Sequence, residues 1–261
     1  MSKRRVCIIG NSHVAALRSG LDLLPELDQG FTFDFFAAQR DLMRDMELKG
    51  ETLVSTSELT KGRMRSVSGG KTCIDTAEYT DFIIVGLGFN YLQATAVLKK
   101  NQVFGYHGSS KRFPMISRPC LVALIAEYLN LSKAMFFARL LRSVSKARII
   151  IIPQPYPSKD IKTNGKGDFW KSVAYSGLLT LITTMYEDVA KRIVDKAGCE
   201  ILFQPVATLS QPGMTLAIYS VDSIRLGSTK NHTYPPGQAS HMNSAFGAET
   251  LRATQELLQQ H

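Results

Sequence analysis

The stretch Arg5-Val6-Cys7-Ile8-Ile9-Gly10-Asn11-Ser12-His13-Val14 decides how the rest of the chain is read. Its first half is a short apolar run rich in β-branched residues and closed by glycine, the pattern of a buried strand. From Ser12 the spacing becomes helical, with Val14, Leu17, Leu21 and Leu24 on one side until Pro25 stops it. The same alternation continues outward. Residues 31–36 and 82–85 read as strands, the second running into Gly86 and Gly88, whereas residues 40–73 are polar and read as irregular. Residues 118–146 favour one long helix, or two broken near Asn130. The most apolar strand, 148–152, is stopped by Pro153-Gln154-Pro155-Tyr156-Pro157. A helix over 170–197, a short strand over 200–203, a loop over 207–240 and a closing helix over 241–260 complete the chain. Strands that are continuous apolar runs, alternating with helices, predict an α/β fold with a parallel sheet covered on both faces. No repeat or long linker divides residues 1–261, which read as a single domain.

Composition narrows the classes. At 261 residues, 44% hydrophobic and 20% charged, the chain can bury a real core and is not of disordered type. The 31 Lys and Arg against 22 Asp and Glu give a net charge of +9, which favours anionic partners without naming one. The longest aliphatic run, Ile149-Ile150-Ile151-Ile152, is far short of the roughly 18 apolar residues that span a membrane. The basic start Met1-Ser2-Lys3-Arg4-Arg5 is followed by too short an apolar stretch for a signal peptide, so a cytoplasmic location is expected. Cys7, Cys73, Cys120 and Cys199 lie far apart with no CxxC or Cys/His cluster. Free, mostly buried thiols are expected, with no structural zinc, metal or cofactor.

In a parallel sheet covered on both faces, ligands bind at the carboxyl ends of the strands. Three junctions there carry chemistry: Gly10-Asn11-Ser12-His13, Gly86-Leu87-Gly88-Phe89-Asn90, and Pro153-Gln154-Pro155. A serine between a buried strand and a helix has its hydroxyl at the open edge of the sheet, beside backbone N–H groups and a helix dipole that favour an oxyanion. The plainer role for Ser12 is a helix N-cap. Asn90 can aim its amide into the same crevice or cap the following helix. Gly69 and Gly70 can bring a backbone N–H close to a ligand, or form a turn. His241, after a loop that can reach the crevice, can take a serine proton, or cap the last helix. His13 adjoins Ser12 and is expected to point elsewhere. The elbow pattern Gly-x-Ser-x-Gly is absent, because Val14 stands at its last position.

Taken in order, Gly-Asn-Ser-His after the first strand, the upstream glycine, Gly-Phe-Asn after the third strand and a late His-Met-Asn resemble the blocks of the SGNH, or GDSL-type, hydrolase superfamily. The resemblance spans most of the chain as an arrangement, with identities confined to short motifs, and Asn11 stands where many members have aspartate. It implies a three-layer α/β/α sandwich on a roughly five-stranded parallel sheet. It also implies Ser12 as nucleophile, His241 as base, and Asn90, Gly70 (or Gly69) and the Ser12 N–H as oxyanion donors. One position departs: the family usually has aspartate three residues before its histidine, and here stands Gln238. A neutral amide can orient an imidazole but cannot supply charge. Three explanations stay open: a Ser12–His241 dyad, another acid such as Asp222, or a degenerate site that only binds.

The resemblance implies ester chemistry, most concretely removal of an O-acyl (acetyl) group from a carbohydrate or cleavage of a small acyl ester. An acyltransferase on the same site and a catalytically silent binder of carbohydrate or anionic ligands are the alternatives. Asn11, His13, Gln154, Tyr156 and Gln238 are the expected substrate contacts, with Tyr156 and Trp170 able either to stack on a sugar ring or to pack in the core. Lys99, Lys100, His107, Lys111, Arg112 and Arg118, with Lys61, Arg63 and Arg65, read either as an anion-binding rim or as a solvated basic surface. The expected partner is a small-molecule or glycan ester, anionic if that rim forms. Nucleic acid is not expected, because no recognition motif is present and aromatic residues do not interleave with the basic ones.

Overall fold

In the computed structural model, which describes residues 3–39, 42–104, 113–160, 178–226, 233–234 and 239–260, the five apolar runs lie side by side in one sheet. The elements in chain order are β1 (Arg4–Gly10), α1 (Val14–Leu21), β2 (Phe31–Ala37), β3 (Met46–Lys49), β4 (Thr52–Ser55), α2 (Glu58–Ser68), β5 (Cys73–Asp75), β6 (Asp81–Val85) and α3 (Tyr91–Ala94). They continue with β7 (Gln102–Val103), β8 (Met115–Ile116), α4 (Arg118–Asn130), α5 (Lys133–Val144), β9 (Arg148–Ile152), α6 (Leu178–Lys196), β10 (Glu200–Ile201), β11 (Leu209–Gln211), β12 (Met214–Thr215) and α7 (Ser244–Gln259). The sheet runs β10-β9-β6-β1-β2 with every pairing parallel.

The continuous apolar strands have the reason the sequence suggests: both faces of the sheet are covered. Cys7, Ile9, Phe82, Ile84, Ile149 and Ile151 point into one core, where they meet residues of α4, α5 and α6 such as Ile125, Phe137 and Ile182. Val6, Ile8, Ile83, Val85, Ile150 and Ile152 point into the other, against α1 and α7 through Val14, Leu17 and Leu251. Alternate side chains of one strand therefore feed opposite layers, and the fold is a three-layer α/β/α sandwich.

Helix α7 is positioned at three places along its length. At its last turn, Arg4 and Arg148 donate to the Leu258 and Leu257 carbonyls at 2.6 and 2.7 Å, where a helix leaves its C=O groups unpaired and its dipole favours cations. Midway it lies against α1 with no room for a side chain: a Cβ on Gly247 would sit 1.8 Å from the Ala16 carbonyl oxygen, and one on Gly20 would sit 2.4 Å from the Ala248 nitrogen. At its start Asn243 caps it, accepting from the Phe246 N–H at 3.1 Å. Because Arg4 and Arg148 begin their strands, α7 runs antiparallel to the sheet, and the chain just before it arrives at the carboxyl ends of β1 and β6.

The structure corrects several expectations. Residues 40–73 are not irregular: they hold the antiparallel β3–β4–β5 sheet and α2. Their polar composition hides one buried stripe, Thr60, Met64 and Val67, on an otherwise solvated helix, and three- or four-residue strands too short to show a period. Helix α1 stops at Leu21, and the turn Pro25–Gln29 is 3₁₀. Helix α7 begins at Ser244, so His241 precedes it. The break near Asn130 is real, with α4 ending there. The loop expected over 207–240 contains the β11–β12 hairpin, and Trp170 with the start of its expected helix lies outside the described residues. All four cysteines are free, but only Cys7 and Cys199 are buried; Cys73 and Cys120 are exposed. Among the described residues no single helix is long and apolar enough to cross a membrane; α4 and α5 pass by length and composition only as a pair bent by 57°.

Candidate active site

The turn after β1 places Ser12 at the carboxyl end of the sheet. The Asn11 and Ser12 carbonyls accept from the Val14 and Ala15 N–H groups and start α1, and Asn11 Oδ1 accepts from the His13 N–H at 3.3 Å. The cap position of α1 is His13, which makes no side-chain capping bond. Ser12 is therefore not the helix cap. Its Oγ lies 3.1 Å from Nε2 of His241, a residue 229 positions away in sequence.

Aromatic rings surround that imidazole. The His13 ring stacks on His241 with centroids 5.0 Å apart at 14°, and Tyr234 stacks at 3.9 Å and 22°. Burial raises the pKa of the Tyr234 hydroxyl, opposed by its interaction with Ser12 and by the charge of Arg225. The Tyr234 backbone N–H donates to the Ser223 carbonyl at 2.8 Å, and the Arg225 guanidinium lies 5.0 Å over its ring. His13 does not point elsewhere, as adjacency on a helix suggested: it precedes the first helical residue and turns inward, where it is buried. Burial pushes the His241 pKa down to about 4, with the positive charge of Arg225 acting the same way. Burial also pushes His13 to about 3, reinforced by His241 and partly opposed by a hydrogen bond with Gln154. Both rings are neutral at pH 7. The Nδ1 atom of His241 has Ser240 Oγ near it, at 3.5 Å.

Asn90 caps α3 and bonds Gln154. Its Oδ1 accepts from the Gln93 N–H and caps α3, while Nδ2 donates to Gln154 Oε1 at 2.5 Å. An amide nitrogen has two N–H groups, so a second remains for a ligand. Asn11, Asn90 and Gln154 together line a cavity of about 720 Å³ at the carboxyl end of the sheet.

Other candidates are not brought together. Gly69 and Gly70 end α2 with left-handed φ of 74° and 121°, and both N–H groups donate to the Arg65 carbonyl. They lead into Lys71, which pairs with Asp34 and Glu78 beside Arg5 at the amino end of the sheet. Neither glycine is an oxyanion donor. The residue that follows β2 at the carboxyl end, Ala38, donates its N–H to the Gly10 carbonyl at 3.4 Å. Asp222 is exposed in a left-handed turn (φ 53°), and among the described residues it makes no bond to His241. Tyr156 is buried and donates its hydroxyl to Glu187 at 2.5 Å, within a cluster with Tyr91 and Tyr186, so it is not a sugar platform. Lys61 pairs with Glu58, and Lys61, Arg63, Arg65, Lys99, Lys100 and Arg118 do not line the cavity. Its cations are Arg44 and Lys133 instead. His107, Lys111, Arg112 and Gln238 lie outside the described residues. Tyr234, Arg225, Arg44 and Lys133 carried no motif and were not expected at the site. Among the described residues no three His, Cys, Asp or Glu side chains form a group able to hold a metal ion.

No family model matches the chain, and no curated protein matches it. Solved structures of similar fold include a protein from Lactobacillus plantarum, 16% identical with a TM-score of 0.45, covering 100% of this chain and 99% of its own. An extracellular lipase from Streptomyces rimosus is 11% identical with a TM-score of 0.46, covering 97% and 99%. An acetyl-xylooligosaccharide esterase from Geobacillus is 13% identical with a TM-score of 0.39, covering 98% and 94%.

Proposed function

We propose that the chain is a serine hydrolase of the SGNH type that cleaves an ester, most concretely an O-acyl group on a carbohydrate or a small acyl ester. The observation that carries this reading is the 3.1 Å contact between Ser12 Oγ and His241 Nε2, made by a serine that does not cap its helix. His241 Nε2 removes the Ser12 hydroxyl proton as Oγ attacks the ester carbonyl. The Ser12 N–H and the second amide N–H of Asn90 face the oxyanion that develops. Collapse breaks the bond to the alcohol, which leaves with the proton held by His241, and Ser12 stays acylated. Water then attacks the acyl-enzyme, giving its proton to His241, and releases the acid and free Ser12.

The base works without a carboxylate partner among the described residues. Its alignment rests on the His13 and Tyr234 rings and on Ser240, and its charged form gains no stabilising anion. A base whose pKa lies near 4 is a weak one at neutral pH, because general-base efficiency is greatest near the operating pH. Turnover is therefore slower than in an acid-assisted triad.

Labelling with a fluorophosphonate, read by peptide mass spectrometry, tests the reading. An adduct on Ser12 in the wild type that is lost in His241→Ala supports it. A folded wild type that takes no label would leave a fold that only binds its ligand.

A further inference from the structure

The side-chain amide of Asn90 is held in one orientation, and Gln154 is what holds it. The two residues meet because the sheet ladder runs on past its strands. Val85 and Ile152 are the last paired residues of β6 and β9. Beyond them the Gly86 N–H donates to the Ile152 carbonyl and the Gln154 N–H to the Phe89 carbonyl, both at 3.0 Å, which sets Gln154 beside the residue that precedes Asn90. Both segments are stiff. Gly86, Leu87 and Gly88 take left-handed φ of 68°, 47° and 82°, a strained conformation for the leucine, and the Leu87 carbonyl accepts from the Ala134 N–H of α5 at 3.0 Å. On the other side Gln154 stands between Pro153 and Pro155, and the residue before a proline is kept out of the helical region.

Asn90 itself is buried. Its Oδ1 accepts from the Gln93 N–H at 3.2 Å, and one N–H of Nδ2 donates to Gln154 Oε1 at 2.5 Å. Turning the amide over would set Oδ1 against Oε1 and an N–H against an N–H, so the flip is fixed and the second Nδ2 hydrogen has a single direction. Without Gln154 only the cap on Gln93 would orient the group. A neutral acceptor also suits the place: a carboxylate would accept the same bond but set negative charge close to the oxyanion that Asn90 serves.

We propose that Gln154 is a positioning residue, which accepts one Asn90 N–H and thereby aims the other at the oxyanion formed when Ser12 attacks. This inference rests on the esterase reading and deepens it by naming a residue that acts through Asn90. Gln154 also interacts with His13, the ring stacked on His241 at 5.0 Å, so its test must separate the two routes.

A double-mutant cycle does so, with kcat and KM on p-nitrophenyl acetate measured for the wild type, Gln154→Leu, Asn90→Ala and the double variant. The Gln154 bond to Phe89 is made by the backbone and survives the substitution, so Gln154→Leu removes the acceptor alone. Asn90→Ala is expected to lower kcat about a hundredfold, as loss of an oxyanion donor does. Gln154→Leu is expected to lower it about tenfold with KM nearly unchanged, because the oxyanion exists only beyond the ground state. The double variant should match Asn90→Ala to within about twofold. Losses that multiply, as a route through His13 would give, or a loss confined to KM, overturn the proposal. A second measurement needs only the folded wild type: the Asn90 side-chain amide, assigned in the NMR spectrum by its loss in Asn90→Ala, should show one proton shifted downfield and slow to exchange with water. Two freely exchanging protons overturn the proposal even if Gln154→Leu does not fold. A wild type that neither turns over the ester nor takes the fluorophosphonate label overturns the esterase reading and this inference with it, whereas an active wild type with multiplying losses overturns this inference alone.

Discussion

The two ends of the central sheet treat charge in opposite ways. At the amino end Arg4, Arg5, Lys71 and Arg148 each meet a carboxylate. Arg4 grips the fully buried carboxylate of Asp81 through two contacts of 2.5 and 3.1 Å, and Asp34 accepts from Arg5, Lys71 and Tyr79. Burial alone would raise the Asp34 pKa, but the bonds from Lys71 and Tyr79 outweigh it and hold the carboxyl below its ordinary value. At the carboxyl end His241 has no anion beside it among the described residues, and both histidines are pushed far down by burial. One end is arranged for stability and the other leaves interactions unmade that a substrate can make. Local strain and unpaired groups concentrate where function needs them and are offset elsewhere in the fold.

The largest expected effect separates the ends most sharply. Ser12→Ala should remove at least about a thousandfold of kcat on any accepted ester, as loss of a nucleophile does, while the melting temperature moves little because Ser12 is only half-buried. A variant that keeps its turnover would show that the carboxyl end does not use Ser12. Next comes Gly247→Ala, which forces a methyl group to within 1.8 Å of the Ala16 carbonyl unless α7 moves. Overpacking of this kind costs about 1–3 kcal/mol or more. Because the same contact carries His241 to Ser12, stability by denaturant and fluorophosphonate labelling rate should fall together. A fall in stability alone would detach α7 packing from the dyad.

The pH profile probes the carboxyl end directly. With the His241 pKa lowered to about 4, the base is deprotonated above that value, so the acid limb of kcat/KM should lie near pH 4 rather than at the ordinary 6.5. Ser240→Asp, which places a carboxylate beside Nδ1, should lift the limb by about one unit or more. A wild-type limb near 6.5 would mean that the ring is not desolvated as described.

The amino end should show smaller effects, all of them on stability. Asp81→Asn leaves Arg4 without its anion; since Arg4 is about one-third exposed, the loss should be about 1–3 kcal/mol with turnover kept. Equal losses of turnover and stability would contradict the division between the ends. The Asp34–Lys71 pair is smaller still, about 1 kcal/mol for a partly exposed network. Its pH dependence has a definite sign. Asp34 is held low in the folded state, so its contribution is present above its unfolded pKa and lost as pH falls through the folded one. Lys71 is held high, its own burial outweighed by the bond to Asp34, so its contribution is present below its unfolded pKa and lost as pH rises through the folded one. Chemical denaturation of Asp34→Asn across pH should flatten the acidic part of that dependence.

What the sequence by itself determined is local. Continuous apolar strands read as a sheet covered on both faces because Val6 and Cys7, or Ile149 and Ile150, must each find a different core, and the structure has both cores. Gly10-Asn11-Ser12 was legible because a strand end followed by helical spacing leaves a serine at the open edge of a sheet. Residues with no local signature were not. Gly69-Gly70 fits an oxyanion block by composition, yet the crossover through α2 sends it to the opposite end of the sheet, and the Arg65 carbonyl takes both amides. Tyr234 and Lys133 sit in no motif. His13 was expected to point away from Ser12 because the α1 spacing was applied one residue too early. Only the tertiary structure decided that His241 reaches Ser12 across 229 residues. The reason is physical: Arg4 and Arg148 fix one end of α7, Gly20 and Gly247 let it lie against α1, and a helix set by two such contacts can deliver its leading histidine to one place.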